Sequence, residues 1–578
     1  MSNVREQYQL WSTDPYFDED TRAELQAIAG DEAEIKERFY QNLTFGTAGL
    51  RGVLGAGTNR MNMYTVGKAA WGFADYIAGL GEEAKQRGIV ISYDSRHYSP
   101  EFADLSARIF AQHGITARLF DELRPVPMLS YAVRYYNCIG GIMITASHNP
   151  KEYNGFKAYG EDGCQLPPEA ADGVLKHMEA VTDFRDLHFI SQEEAKATGH
   201  YQVVGPEIDD AYTAMLKGLS INPDLVKEQS DMKIVYTPLH GAGNKPIRRI
   251  LAELGFANVL VVPEQAEPDP DFSTVEKPNP EFREALQMAI DLAEKEAADL
   301  VIATDPDADR TGLAVRRQDG TYAVLTGNQI GLLLMEYILS AKHERGVLPE
   351  KSFVASTIVS TKLTKKLAAT YGVKLFEVLT GFKFIGELIK KYDEFGDMHF
   401  QFGFEESFGY LAGTDVRDKD AVVASMLLAE MAAVARSKGR TISDELDALY
   451  EKYGYGFEHT ISIKMDGISG QEKISRALSQ LREHPPRELV NFPVRVVRDY
   501  LNDTRTEVET GEVTALGLPS SNVLLYELDG LDWFCVRPSG TEPLIKIYTG
   551  SYGAEAEPTR AKLEAITAAA KEVLEKML

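Results

Sequence analysis

GGIMITASHNPKEYNGFK, residues 140–157, is the stretch on which the reading of this chain turns. The apolar run Ile142-Met143-Ile144 leads into small and polar residues, then Pro150 and an Asn154-Gly155 pair that reads as a turn. The pattern predicts a buried strand ending in a loop, where a rigid base holds side chains open to ligand. Ser147 is the candidate nucleophile of that loop. His148 follows it directly, and neighbours on an extended chain point to opposite sides. His148 is therefore expected to be a poor partner for Ser147 in the hydrolase sense, where the imidazole reaches the hydroxyl from elsewhere in the fold. Taken alone, the plainer reading is a strand-to-turn connection whose Ser starts a local side-chain-to-backbone bond.

The surroundings repeat one rhythm. A strand at residues 88–94 precedes a helix at 100–113, a strand at 116–120 and a helix at 129–136. The pattern returns with strands at 232–236, 259–263 and 299–303 and helices at 246–254 and 281–298. A third round has strands at 353–356, 374–378 and 399–404, helices at 362–371 and 384–391, and a closing helix at 421–438. Alternating strands and helices with short turns predict α/β domains. Residues 1–44 read as an acidic helical arm, followed by the glycine-rich FGTAGLRG (45–52) with Arg51. After about residue 455 the character changes to an alternating strand (458–465), an amphipathic helix (471–483), strands at 523–528 and 533–536, and a long last helix (554–578). This predicts a separate α+β domain with antiparallel strands. The expected division is 1–210, 211–323, 324–455 and 456–578.

Composition bounds the function. The 578 residues suit about four domains; 44% are hydrophobic and 26% charged, as in globular proteins. The formal net charge of −26 argues against non-specific nucleic-acid binding and against anionic membranes. Cys138, Cys164 and Cys535 are far apart and odd in number, which suits a reducing compartment rather than a disulfide framework. No apolar run has the length of a membrane span, and the first residues lack a secretory apolar core. A cytoplasmic protein without a membrane segment is expected.

Three further loops carry chemistry. TDPDADR (304–310) follows a buried strand and places Asp305, Asp307 and Asp309 at alternating positions. Crowded carboxylates need a compensating cation, and all-oxygen ligation selects a hard ion such as Mg2+. A calcium-hand loop is excluded, because Arg310 and Arg316 stand where it needs Gly and Glu. RPSGT (537–541) combines a bidentate Arg537, the hydroxyls of Ser539 and Thr541, and Gly540, whose freedom lets backbone N–H groups turn toward an anion. It reads as a phosphate cradle or as a plain polar hairpin. GFEESFG (403–409) offers carboxylates and a hydroxyl suited to sugar hydroxyls, or a helix cap with acidic first turn. Gly241-Ala242-Gly243 lacks the third glycine of a dinucleotide fingerprint, and Pro246 stands in its place. P-loop, zincin and nucleophile-elbow motifs are absent.

With TASHNP, DPDADR, FEESFG (the family's GEESFG form) and RPSGTEP in this order, the chain resembles the α-D-phosphohexomutase superfamily. Trp11, FGTAGLRG and TGFKFIG (380–386) look most like its longer phosphoglucomutase/phosphopentomutase branch. The resemblance implies three α/β domains with mixed sheets around a central cleft and a C-terminal α+β domain like the TATA-binding protein. It implies that Ser147 rests as a phosphoserine and exchanges its phosphoryl group with a sugar phosphate. Glucose 1-phosphate and glucose 6-phosphate would interconvert through glucose 1,6-bisphosphate, which is also the activator. Mg2+ would sit on Asp305, Asp307, Asp309 and the phosphoryl oxygen of Ser147. Lys157 would be the base, its pKa lowered by cations or burial. His148 and Arg51 would support the transfer. Arg310, Lys383, Glu405 and Ser407 would bind substrate, and Arg537, Ser539, Gly540 and Thr541 its distal phosphate. Gly409 stands where some mannose-accepting relatives carry a His, which favours glucose. Phosphopentomutase, a sugar-bisphosphate synthase and a sugar-phosphate binder without turnover are the alternatives. Monomer and dimer are equally open.

Overall fold

The computed structural model describes residues 2–46, 49–465, 467–489, 491–539 and 544–578. The chain forms two compact units. One comprises residues 1–325, 386–395 and 408–441; the other comprises 326–385, 396–407 and 442–578.

The first unit is built on two mixed sheets. In the first sheet β1 (Leu50–Val53), β2 (Ile89–Tyr93), β3 (Ala117–Phe120), β4 (Gly140–Ile144), β5 (Tyr153–Gly160) and β6 (Tyr201–Val204) lie in the order β1-β5-β4-β2-β3-β6. The strands β4, β2, β3 and β6 are parallel; β5 runs antiparallel to β4 and β1 antiparallel to β5. Every residue of β4 is buried, which is why it reads as a continuous apolar run rather than an alternation. Val66, Phe73 and Ile77 of the helix Met63–Gly79 and Phe102, Ile109 and Phe110 of the helix Ser99–Gln112 share one core with Ile91, Ile142 and Ile144. Asn62 opens the former helix, its side chain bonded to the N–H groups of Tyr64 and Thr65. Trp11 of the acidic arm stacks on Phe17 at 4.3 Å and packs edge-on against Tyr64, which fixes the arm to that helix.

Because β2 and β4 are parallel and pair Tyr93 with Ile144, the chain leaves both at one edge, side by side. Asp94 and Thr145 are thereby neighbours. The second sheet repeats the device. Its strands β7 (Lys233–Thr237), β8 (Asn258–Val261), β9 (Leu300–Thr304), β10 (Thr311–Arg316) and β11 (Tyr322–Val324) lie in the order β11-β10-β9-β7-β8. Parallel β7 and β9 pair Thr237 with Ala303, so residues 238–243 and 305–310 leave one edge together.

One expectation is corrected here. Asn154 and Gly155 are not a turn but lie within β5, Gly155 opposite Arg51. A Cβ on Gly155 would lie 2.5 Å from the Thr145 carbonyl oxygen, so the glycine serves close strand packing. The Asn154 amide donates to the His97 carbonyl at 2.8 Å and to Ser99 Oγ at 3.0 Å instead of closing a hairpin.

The second unit holds parallel β12 (Ser352–Thr357), β13 (Lys374–Val378) and β14 (His399–Glu405), with β12 between the others. It also holds an antiparallel sheet ordered Tyr455–Lys464, Leu544–Gly553, Trp533–Pro538, Leu524–Glu527, Val496–Asp499, Thr504–Glu507, Val513–Ala515. Ile474, Leu478 and Leu481 of the helix Gly467–Glu483 and Ile566, Ala570 and Leu574 of the helix Ala556–Glu575 cover it. Leu544–Gly553 and the last three strands escape sequence reading. Thr504–Glu507 is polar throughout and half-buried, so it carries no apolar alternation.

Candidate active site

The residues of the serine loop and the aspartate loop meet in the first unit. Ser147 is buried, with φ of 53°, a left-handed backbone that costs a residue with a Cβ about 1–2 kcal/mol. Its Oγ donates to Asp305 Oδ2 at 2.8 Å and lies 3.1 Å from His148 Nδ1. The expectation that His148 faces away is therefore wrong. It assumed extended backbone, and the left-handed turn at Ser147 brings the two side chains to one side. Burial and the nearby guanidinium groups of Arg310 and Arg51 hold the imidazole well below its ordinary pKa, which leaves it neutral near pH 7.

Asp305, Asp307 and Asp309 are buried, with ligand oxygens all within 4.8 Å of one another. Ala308 between them has φ of 45°, which folds the loop so that alternating side chains converge. Burial, then Asp307 and Asp309, push Asp305 well above the usual carboxylate range. Asp307 Oδ1 and Asp309 Oδ1 are buried without a hydrogen-bond partner. Hard oxygen donors, crowded and in part unsatisfied, fit a divalent cation. Lys419, which the sequence did not single out, places Nζ 3.0 Å from Asp309 Oδ2 and is another cation on this cluster.

Lys157 on β5 is buried and places Nζ 2.7 Å from Asp307 Oδ2 and 3.4 Å from Asp309 Oδ2. Burial lowers its pKa, but the two aspartates outweigh burial and hold it above its ordinary value. The expectation of a lowered pKa is thus corrected: in this arrangement Lys157 is a paired ammonium, because the carboxylates that attract a metal also attract it. Arg51 is exposed on β1, with Nη1 donating to Asn149 Oδ1 at 3.2 Å. The Arg310 N–H donates to Asp305 Oδ1 at 2.9 Å, which ties the following cation to the loop.

Asp94, Arg96 and Thr145 also escaped the sequence reading. Arg96 is fully buried and donates to the carbonyls of Ser147 (2.6 Å), Asn149, Pro150 (2.8 Å) and Tyr153 (3.0 Å). Its Nε lies 3.3 Å from Asp94 Oδ2. The available signal was the polar turn YDSR closing a buried strand parallel to that of the serine. The Gly241-Ala242-Gly243 motif likewise finds a role. A Cβ on Gly241 would lie 2.4 Å from Pro306 Cα, and the Ala242 N–H donates to the Pro306 carbonyl at 2.8 Å. The glycine seats the aspartate loop.

The other expected residues belong to the second unit. Glu405 ends β14 and is buried; Ser407 follows, half-buried. The neighbouring Glu406 accepts from Thr357 Oγ1 at 2.7 Å. Lys383 opens the helix Lys383–Phe395 with Nζ 4.9 Å over the Phe384 ring. Arg537 lies on the strand Trp533–Pro538 opposite Lys546, its Nη1 3.5 Å from the Tyr548 hydroxyl. The field of the Glu406 carboxylate also reaches that hydroxyl, so Glu406 and Arg537 border one neighbourhood. The Ser539 N–H donates to the Leu544 carbonyl at 2.7 Å. Gly540 and Thr541 lie outside the described residues.

Residues 42–185, 210–320 and 326–453 match the family models "Phosphoglucomutase/phosphomannomutase, alpha/beta/alpha domain" I, II and III. The phosphoglucomutase of Staphylococcus aureus (strain MSSA476) is 39% identical over 517 residues, 89% of this chain and 90% of its own. A structure of a putative phosphomannomutase from Thermus thermophilus superposes with a TM-score of 0.67 at 22% identity, over 93% of this chain and 99% of its own. The open form of pp63/parafusin, a Paramecium phosphoglucomutase, also gives 0.67, at 19% identity, over 93% and 96%. The two structures show the shared fold.

Proposed function

Since the chain belongs to the phosphoglucomutase/phosphomannomutase family, we propose that it is a phosphoglucomutase, an intramolecular phosphotransferase that interconverts glucose 1-phosphate and glucose 6-phosphate. The observation that carries this reading is the Ser147 hydroxyl held on the aspartate loop at 2.8 Å. A phosphoryl group carried on Ser147 Oγ would lie beside Asp305, Asp307 and Asp309, the residues that would hold the cation. Mg2+ is the ion that suits an all-oxygen site shared with phosphate. Its chemistry there is neutralisation of phosphoryl charge, which phosphoryl transfer needs more than covalent assistance.

The sequence of events follows from atom balance. A hydroxyl of the bound hexose phosphate attacks phosphorus, a new P–O bond forms, and the bond to Ser147 Oγ breaks. Glucose 1,6-bisphosphate results, turns over, and returns its other phosphoryl group to Ser147. The attacking hydroxyl loses a proton, and Ser147 Oγ gains one as it leaves. In this reading neutral His148, 3.1 Å from Ser147 Oγ, takes that hydroxyl's proton when Ser147 is rephosphorylated and, as imidazolium, returns it when Oγ next leaves. Lys157 is the base toward the substrate in this reading, and can accept a proton only after its ammonium, released by Asp307 and Asp309, has lost its own. Arg51 and Arg310 add positive charge around the phosphoryl group. Glu405, Ser407 and Lys383 hold the sugar, and Arg537 with Ser539, Gly540 and Thr541 the distal phosphate. Three buried thiols suit the reducing cytoplasm, where we place the enzyme. Among the described residues no helix is long and apolar enough to cross a membrane.

The test compares kcat/KM for glucose 1-phosphate and ribose 1-phosphate, with intact mass before and after substrate. The reading requires preference for glucose 1-phosphate and one added phosphate that exchanges with substrate. Preference for ribose 1-phosphate would make the chain a phosphopentomutase. Binding without turnover would make it a sugar-phosphate-binding protein.

A further inference from the structure

Ser147 uses one polar group, Oγ, toward the aspartate loop, and side chains from beneath the loop hold its two backbone groups. Its N–H donates to Thr145 Oγ1 at 2.8 Å. Thr145 in turn donates its hydroxyl proton to Asp94 Oδ2 at 2.6 Å. The Ser147 carbonyl accepts from Arg96 Nη2 at 2.6 Å. Arg96 is anchored by Asp94, with Nε 3.3 Å from Oδ2, and by the face of Phe272, 4.9 Å from the guanidinium carbon. One carboxylate thus backs both grips. Asp94 is held in turn by the Ser99 hydroxyl at 2.8 Å and the Arg96 N–H at 3.0 Å.

We propose that Thr145 and Arg96 are positioning residues that clamp the backbone of Ser147 on both sides and thereby aim its Oγ at the aspartate loop. The inference rests on the reading of Ser147 as the phosphoryl carrier. The reasoning is geometric. A left-handed φ of 53° is unfavourable for serine, and the chain adopts it only where the surroundings over-determine it. Two side-chain bonds to the same residue's N–H and C=O supply that determination. Without them the peptide relaxes, and Oγ swings away from Asp305. Arg96 also fixes the carbonyls of Asn149, Pro150 and Tyr153, so the loop on which Ser147 sits moves as one piece. The guanidinium fork reaches four carbonyls at once, and a lysine ammonium has no such fan of donors.

The experiment uses the full-length enzyme and the variants Thr145→Val, Thr145→Ser and Arg96→Lys. Melting temperature, kcat and KM for glucose 1-phosphate are measured for each. Thr145→Val keeps the volume and removes the acceptor; Thr145→Ser keeps the acceptor. Displacement of a reacting atom by about 1 Å costs roughly 100-fold, so Thr145→Val and Arg96→Lys are expected to lower kcat by about 30- to 100-fold with KM changed less than about 3-fold. Thr145→Ser is expected to restore kcat to within about 3-fold of the parent. Parental kcat in Thr145→Val overturns the clamp. So does equal loss of kcat in Thr145→Ser and Thr145→Val, which would assign the effect to packing. A kcat loss that tracks melting temperature across all three variants overturns it as well. Should Thr145→Val fail to fold, the Arg96→Lys comparison decides on the same criteria. A parent enzyme without mutase turnover sinks the function reading instead, and a crystal structure of Thr145→Val then still tests the clamp: Ser147 retained at φ near 53° overturns it.

Discussion

Ser147 Oγ and Asp305 Oδ2 lie 2.8 Å apart across a sequence separation of 158 residues. Two sheets meet at that bond. Each delivers its loop from the carboxyl end of a buried parallel strand, β4 in one sheet and β9 in the other. The meeting of Ser147 with the aspartate loop is thus set by strand register rather than by local sequence.

Ser147→Ala removes the hydroxyl proposed to carry the phosphoryl group beside the aspartate loop. Mutase turnover is expected to vanish, with no added phosphate in the intact mass. Substantial residual turnover in a coupled assay would refute the central assignment.

Removal of divalent cations by chelation is expected to stop transfer and leave the fold in place. The cores of both sheets in this unit are apolar and independent of the aspartate loop. The check is parallel measurement of activity and circular dichroism, with recovery on adding Mg2+. A fully active metal-free enzyme would contradict the assignment of Asp305, Asp307 and Asp309.

Gly241→Ala drives a Cβ to 2.4 Å from Pro306 Cα, a backbone atom that cannot rotate away. Overpacking of this kind costs about 1–3 kcal/mol. The strain falls on the aspartate loop, so the expected result is a weaker apparent affinity for Mg2+ as well as a lower melting temperature. A Mg2+ titration indistinguishable from that of the parent would show that the loop absorbs the push.

Arg537→Ala removes a guanidinium from the strand that leads into RPSGTEP. Loss of a charge-assisted contact is expected to cost about 1.5–3 kcal/mol, roughly one to two decades in kcat/KM. An unchanged kcat/KM would exclude Arg537 from the phosphate site.

Glu377 is a structural case with a defined pH signature. Burial raises its pKa, but Lys362 and Lys365 outweigh burial and hold it at about 2, below the usual 4.5. The unfolded chain therefore binds the proton first on acidification. The stabilisation is whole above pH 4.5 and is lost as the pH falls from there toward 2, on the order of 3 kcal/mol at most. Glu377→Gln leaves the Lys362 ammonium buried without its carboxylate. It is expected to melt well below the parent at about pH 7, with the gap narrowing below about pH 4.5. A gap that stays constant from about pH 7 to about pH 3.5 would show that the ion pair contributes nothing.

Several features of the site were legible because short loops at strand ends keep their chemistry in sequence. The apolar run of β4 and the three alternating aspartates are legible in sequence and stand as a buried strand and a buried carboxylate cluster, whereas RPSGT alone left a phosphate cradle and a polar hairpin open. The βα rhythm also announces the sheets, since buried parallel strands read as apolar runs. Other features were illegible for equally physical reasons. Arg96 sits in a polar turn that looks solvated, yet is fully buried because its donors meet carbonyls 51 to 57 residues away. Lys157 was expected as a free base and is a paired cation, because its pKa depends on aspartates about 150 residues distant. The partnership of Ser147 and His148 depends on a single left-handed φ that no residue type at that position foretells. By itself the sequence picked out the candidate loops, since donor sets and strand patterns are local properties. Only the tertiary structure decided which way those residues point and what charge they hold, because direction follows from backbone angle and strand register, and charge from neighbours distant along the chain.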